Sequence, residues 1–159
     1  MNKLSTEKRT QIIAALAEGC SVRSVSRMTG ASKNTIQKLQ IELGAACSEY
    51  MDRTLRNLPC KRVQVDEIWS FVYAKQKNVK PEIAASRIAG DVWTWIAMDA
   101  DTKLVCSWMV GQRDPVTARD FMDDLAGRLA NRVQLTSDGL KTYLTAVDKA
   151  FGNDIDYAM

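Results

Sequence analysis

The sequence predicts an α/β chain in two parts, a short helical module followed by a larger module that mixes strands and helices. Three observations carry that prediction: helical apolar spacing from Thr6 to Leu43, strand-type runs of Val, Ile and Trp beyond Arg62, and a change of charge between the two. Residues 1–62 carry 11 basic and 5 acidic side chains, whereas residues 63–159 carry 11 basic and 14 acidic ones. A basic head on a slightly acidic body is the pattern expected of a nucleic-acid-binding module joined to a domain with its own task.

Composition narrows the chemistry. There is no His among the 159 residues, which removes Ser-His-Asp and Cys-His catalysis and every imidazole-ligated metal site. Catalysis must therefore rest on carboxylates, lysines or hydroxyls. Cys20, Cys47, Cys60 and Cys106 form no Cys-x-x-Cys pair, so they read as reduced, structural thiols. No apolar run reaches the ~18 to 20 residues of a membrane span, and no leader-type segment opens the chain. A soluble, cytoplasmic protein without a membrane partner is the expectation.

In the front module, Ile12, Ile13 and Leu16 follow helical spacing from Thr6 to Glu18, with Ser5 or Thr6 as cap and Gly19 as stop. Ser21 caps a second helix, in which Val22, Val25 and Met28 recur until Gly30 turns the chain. Ser32 caps a third, from Lys33 toward Leu43, with Ile36, Leu39 and Leu43 on one face and Lys33, Asn34, Gln37 and Lys38 on another. Two helices joined by a tight Gly turn, the second polar and basic near its start, make a helix-turn-helix whose last helix enters a major groove. Asn34 and Gln37 are then expected at base edges, and Arg23, Arg27, Lys33 and Lys38 at phosphates. This DNA-binding module spans residues 1–46. A basic linker follows over 47–62, loosened by Gly44-Ala45-Ala46 and broken at Pro59.

The back module, 63–159, begins with a strand from Val63 to Tyr73 that has Asp66 and Glu67 in its middle. A carboxylate in an apolar strand needs a partner or a cleft. By alternation Glu67 points away from Asp66 and is expected to be structural. A Lys-rich loop over 74–90 leads to a strand from Val92 to Met98 with Trp93 and Trp95 on one face, a turn at Asp99 to Thr102, and a returning strand from Leu104 to Val110. Asp114 and Pro115 open a helix through Leu129, with Asp120, Asp123 and Asp124 as its solvated face. A short strand at Val133 to Thr136 then ends in Ser137-Asp138-Gly139, before a helix through Phe151. A carboxylate just past a strand lies where α/β folds keep their sites.

Strand, strand, strand, helix, strand, helix, with one Asp inside the first strand and another after the fourth, matches the ribonuclease-H-like fold. The segments Val65-Asp66-Glu67-Ile68-Trp69-Ser70-Phe71-Val72, Gly90-Asp91-Val92-Trp93 and Thr136-Ser137-Asp138-Gly139-Leu140-Lys141-Thr142-Tyr143 resemble bacterial insertion-sequence transposases of the DDE class, especially the family typified by insertion sequence one. The resemblance covers the whole chain. It implies DNA transposition: binding to the terminal inverted repeats of an element, as a homo-oligomer, then metal-dependent cleavage and strand transfer into target DNA. It also implies two Mg²⁺ (or Mn²⁺) ions, with Asp66 bridging both and Asp138 holding one.

The chain departs from that family in one respect. A third carboxylate, usually Glu, is expected on a helix well downstream of Asp138, yet only 21 residues follow. Asp148, Asp154 and Asp156 are not promoted to that role, so the ribonuclease-H-like domain is expected to be incomplete at its C-terminal end. Two alternatives stand beside the transposase: a truncated, catalytically inactive transposase that only binds DNA, and a helix-turn-helix regulator.

Overall fold

The computed structural model describes residues 4–84 and 88–159. Among these, six α-helices and a five-stranded mixed sheet divide into two compact units, one ending at Thr54 and the other beginning at Leu55.

The first unit is built from α1 (Thr6–Ala17), α2 (Val22–Thr29) and α3 (Lys33–Thr54). Each starts on a serine whose hydroxyl takes an otherwise unpaired amide: Ser5 from Lys8 at 3.3 Å, Ser21 from Ser24 at 3.2 Å and Ser32 from Thr35 at 3.2 Å. Gly30 ends α2 at φ +69°, a conformation that side chains resist. The turn after it is pinned by the Ser26 hydroxyl, which donates to the Ala31 carbonyl at 2.7 Å. Ile12, Val25 and Ile36, one from each helix, are fully buried together, with Ala31 and Leu39 beside them. The polar helix expected through Tyr50 and Leu55 inside the linker is continuous with the third helix, because α3 runs unbroken through Gly44 to Thr54. One glycine costs a helix about 1 kcal/mol, too little to stop a segment otherwise rich in Ala, Glu and Leu.

The second unit holds β1 (Arg62–Val72), α4 (Pro81–Ala84), β2 (Gly90–Asp99), β3 (Val105–Gly111), α5 (Pro115–Ala126), β4 (Gln134–Thr136), α6 (Thr142–Phe151) and β5 (Asp156–Ala158). The sheet order is β3-β2-β1-β4-β5: β2 pairs antiparallel with β1 on one side and β3 on the other, while β4 runs parallel to β1 and β5 to β4. The Lys-rich stretch expected as loop contains a 3₁₀ turn at Gln76–Asn78 and α4, and its residues 85–87 lie outside the described residues. Residues before β1 belong to this unit: the Leu58 amide donates to the Arg128 carbonyl at 2.9 Å, and Ala130 returns a bond to the Leu58 carbonyl at 3.0 Å.

The core lies between one sheet face and α5 with α6. Val63 and Val65 of β1, Trp95 and Ala97 of β2, Phe121, Met122 and Leu125 of α5, and Tyr143, Ala146 and Val147 of α6 are all buried there. Trp95 meets Phe121 at 5.9 Å and the edge of Tyr143 at 5.5 Å, centroid to centroid. Such pairs add about 0.5 to 1.5 kcal/mol each beyond the area they bury. The Cys60 and Cys106 thiols are buried 3.7 Å apart. Burial, then the neighbouring Cys106, pushes the Cys60 thiol up to about 12. No helix among the described residues is long and apolar enough to cross a membrane.

Asp124 corrects an expectation. Rather than standing on a solvated face, its carboxylate is clamped by Arg128 Nε at 2.7 Å and Nη2 at 2.9 Å, and by the buried Ser107 hydroxyl at 2.5 Å. Burial alone raises the pKa of such a carboxyl, but the Arg128 and Ser107 bonds outweigh it and leave Asp124 below its ordinary value. A carboxyl depressed in the fold contributes stability above its unfolded pKa of about 3.9 and loses it as pH falls through the folded value. Asp124→Asn is expected to lower unfolding free energy by about 2 kcal/mol at pH 7. In urea titrations the gap from the parent should narrow below pH 4.

Candidate functional site

The site forms at the edge of β1, just past the end of its short partner β4. The β1–β4 pairing stops at Gln64 and Thr136, so Asp66 extends two residues beyond it on one strand and Asp138 two residues beyond it on the other. Asp66 Oδ1 accepts the Glu67 amide at 2.8 Å, which folds the carboxylate back along its own strand. Asp138 Oδ1 accepts the Leu140 amide at 3.0 Å, an Asx turn that leads the chain toward α6. The Ser137 hydroxyl beside it meets the Asp138 carbonyl at 2.8 Å and the Tyr157 hydroxyl at 2.6 Å, and the Ser137 amide donates to the Ala158 carbonyl at 3.1 Å. Thus β5 braces the turn that carries Asp138.

Glu67 stands on the face that alternation gives it. It lies opposite Trp95 in the antiparallel register, hence on the core face, and its side chain is only 1% exposed. Nevertheless the carboxylates of Asp66, Glu67 and Asp138 each offer an oxygen within 4.8 Å of the other two. Alternation assigns Asp66 and Glu67 to opposite faces correctly. What it misses is that a cluster at a sheet edge can draw on both.

Arg113 supplies the positive charge. Its Nε donates to Glu67 Oε2 at 3.0 Å, its Nη2 lies 3.5 Å from Asp138 Oδ2, and its guanidinium sits 4.9 Å from the Trp93 ring centroid. The backbone that carries it is fixed on both sides. Trp95 Nε1 donates to the Gln112 carbonyl at 3.2 Å, and Asp114 caps α5 by accepting the Thr117 amide at 2.8 Å. Gly111 completes the turn, since a Cβ there would meet Thr117 Cγ2 at 2.6 Å. Arg113 and Glu67 both went unmarked by sequence reasoning as site residues; the adjacent acidic pair was the one available signal.

Two buried polar atoms in this region, Glu67 Oε1 and the Tyr143 hydroxyl, make no hydrogen bond of ordinary distance and angle. Burial, then hydrogen bonding to the neighbouring Glu67 and that carboxylate's charge, raises the Tyr143 phenol far above its ordinary value, so it stays protonated. The predicted DNA contacts lie in the other unit. Arg23 and Arg27 on α2, and Lys33, Asn34, Gln37 and Lys38 on α3, are all exposed, and Arg27 Nη2 reaches the Ser24 hydroxyl at 3.2 Å.

A buried hydroxyl without a well-formed hydrogen bond costs free energy that a ring alone does not. Tyr143→Phe is therefore expected to leave the melting temperature unchanged or to raise it, by up to about 1 kcal/mol in stability. Tyr143→Leu, which loses the edge contact with Trp95, should lower it; a clear loss with Phe would show that the hydroxyl is bonded after all.

Comparison of the chain with protein-family models and with curated proteins finds no match in either.

Proposed function

We propose that this chain is a DNA-binding phosphoryl-transfer protein of the DDE transposase type, with a helix-turn-helix formed by α2 and α3 and a ribonuclease-H-like second unit. The observation that carries the proposal is the meeting of Asp66 and Asp138. They are separated by 72 positions in sequence, yet they converge past the paired ends of two parallel strands. The element order, three antiparallel strands followed by helix, strand, helix and a further strand, supports the same reading.

The donor set suits a hard divalent cation. All three groups are carboxylates, and no soft or imidazole ligand joins them among the described residues. Asp66 and Asp138 would hold Mg²⁺ or Mn²⁺, two ions in the complete site. Bound there, such ions supply Lewis-acid activation of the attacking oxygen and stabilisation of the leaving oxygen at a phosphodiester. The protein's own part is to hold the two carboxylates rigidly, through the Glu67 amide on one side and the Leu140 amide on the other.

In the first unit, the exposed Asn34 and Gln37 read base edges from the start of α3, while Arg23, Arg27, Lys33 and Lys38 hold phosphates. The helix start adds its dipole to theirs. The chain acts on element ends and target DNA as a homo-oligomer. A second reading, DNA binding without cleavage, is favoured by one observation: among the described residues no carboxylate besides Asp66, Glu67 and Asp138 joins the cluster, and Asp156 is paired with Arg132 at 2.5 Å.

The test starts from duplexes selected from a random pool by binding. With four phosphate contacts, log affinity should fall with log salt at a slope of about −3 to −4, and a flat plot would remove the DNA-binding reading. Lys38→Ala should weaken all sequences alike and flatten the slope by about 1, while Asn34→Ala should cost about 1 to 3 kcal/mol on the selected sequence alone. Asp66→Asn should leave binding intact and abolish Mg²⁺-dependent nicking; nicking absent from the parent as well would leave the second reading.

A further inference from the structure

The far end of β1 carries an aromatic and basic surface that the acidic cluster does not use. The pairing of β3 with β2 stops at Gly111 and Trp93, so Ser70 to Val72 of β1 and Gly90 to Val92 of β2 run on as a two-stranded ribbon. Alternation places Trp69 and Phe71 on the same face as Glu67. Both rings are open to solvent, at 39% and 47% exposure, although such side chains carry large apolar areas that folding ordinarily buries. We propose that this end of the ribbon is a stacking platform for an unpaired nucleic-acid strand, with Trp69 and Phe71 under successive bases and Lys75, Lys77 and Lys80 on the phosphates. The inference rests on the phosphoryl-transfer reading for the chemistry beside the platform, and it adds to that reading a site for nucleotides that have left the duplex.

Shape, charge and place each favour nucleic acid. The two rings lie side by side, centroids 5.7 Å apart and planes tilted by 40°, so neither covers the face of the other. Bases stack on such faces with little regard to sequence, because every base has a face of its own. Between Ala74 and Lys80 stand three lysines and no acid, and Lys75 Nζ lies 4.9 Å from the Trp69 ring centroid. Trp69 also follows Glu67 by one strand period, about 7 Å. It stands opposite Trp93, whose ring holds Arg113. A strand cut at the acidic cluster would therefore have its next nucleotides at the rings.

The lysine-bearing turn is tied to the ribbon. Tyr73 turns the backbone at φ +66°, a costly conformation for a bulky residue, and the Ala74 amide then donates to the Val72 carbonyl at 2.8 Å. That reversal brings Lys75 back over Trp69. The next residue is anchored to the opposite strand: the Gln76 amide donates to Asp91 Oδ1 at 3.0 Å, and the Gln76 side-chain oxygen lies where a Cβ at Gly90 would stand. Asp91, the acid opposite Phe71, thus spends its carboxylate on a peptide instead of facing a phosphate bare.

The experiment is titration of the full chain with a short labelled oligothymidylate and with an abasic strand of the same length, read by anisotropy and by tryptophan fluorescence. All four tryptophans lie in the second unit, so quenching reports on that unit alone. Trp69→Ala and Phe71→Ala should each weaken oligothymidylate binding by about ten-fold, and the parent should bind the abasic strand as weakly as those variants bind the intact one. Trp69→Phe should keep most of the affinity and lose much of the quenching. Lys75→Ala should flatten the salt slope by about 0.7. Melting curves are compared first; should a ring variant fail to fold, the abasic strand decides on the parent alone. Equal affinity for the two strands, or oligothymidylate binding indifferent to both ring variants, overturns the inference. So does self-association, or binding to phosphatidylserine vesicles, that these variants abolish while oligothymidylate binding persists. Nicking lost in Asp66→Asn while strand binding ignores the rings sinks the platform alone. Strand binding that depends on the rings, with no nicking by any form, supports the platform and sinks the phosphoryl-transfer reading.

Discussion

The second unit depends on the burial of one indole. Trp95 sits in the middle strand of the antiparallel half of the sheet, wedged between Phe121 of α5 and Tyr143 of α6, with no exposed surface. Its ring is the common wall for both helices, and its single polar atom is spent on the Gln112 carbonyl. That one bond ties core packing to the turn before α5, where Arg113 begins. The same residue lies opposite Glu67 in the register, so the apolar centre of the domain and the deepest carboxylate of the acidic cluster share a face. Packing and electrostatics are set by the same strand pair.

This explains why a buried acid is tolerated so near the core. Glu67 is flanked in alternation by Val65, a core residue, and its charge is met from outside the sheet by a guanidinium whose position the indole bond determines. Without that arrangement, an isolated carboxylate at this depth would carry a heavy desolvation penalty. The neighbouring Asp66 escapes the penalty by a different route, turning outward to the strand edge and capping the next amide. Two adjacent acids thus reach one place from two faces, one through the core and the other around the edge.

How far the sequence could be read follows from which forces are local. The caps at Ser5, Ser21 and Ser32, the turn at Gly30 and the strand periods of β1, β2 and β3 are short-range features, and each was legible. Asp66 and Asp138 were legible as a pair because each stands at a strand position that needs a reason. The break at Gly44 was not, since a single glycine inside a helix costs too little to end it, and α3 continues to Thr54. Asp124, Arg113 and the cluster membership of Glu67 were hidden for another reason. Arg113 and Glu67 meet partners 46 and 71 positions away at Glu67 and Asp138, and Asp124, besides its neighbour Arg128, meets Ser107 17 positions back; no period in the chain announces such a meeting.

The brace on Asp138 has a practical side. The turn that holds this carboxylate is fastened to a strand of three residues, through the Tyr157 hydroxyl and the Ala158 carbonyl. Proteolysis at these positions would therefore act on a side chain some twenty positions upstream.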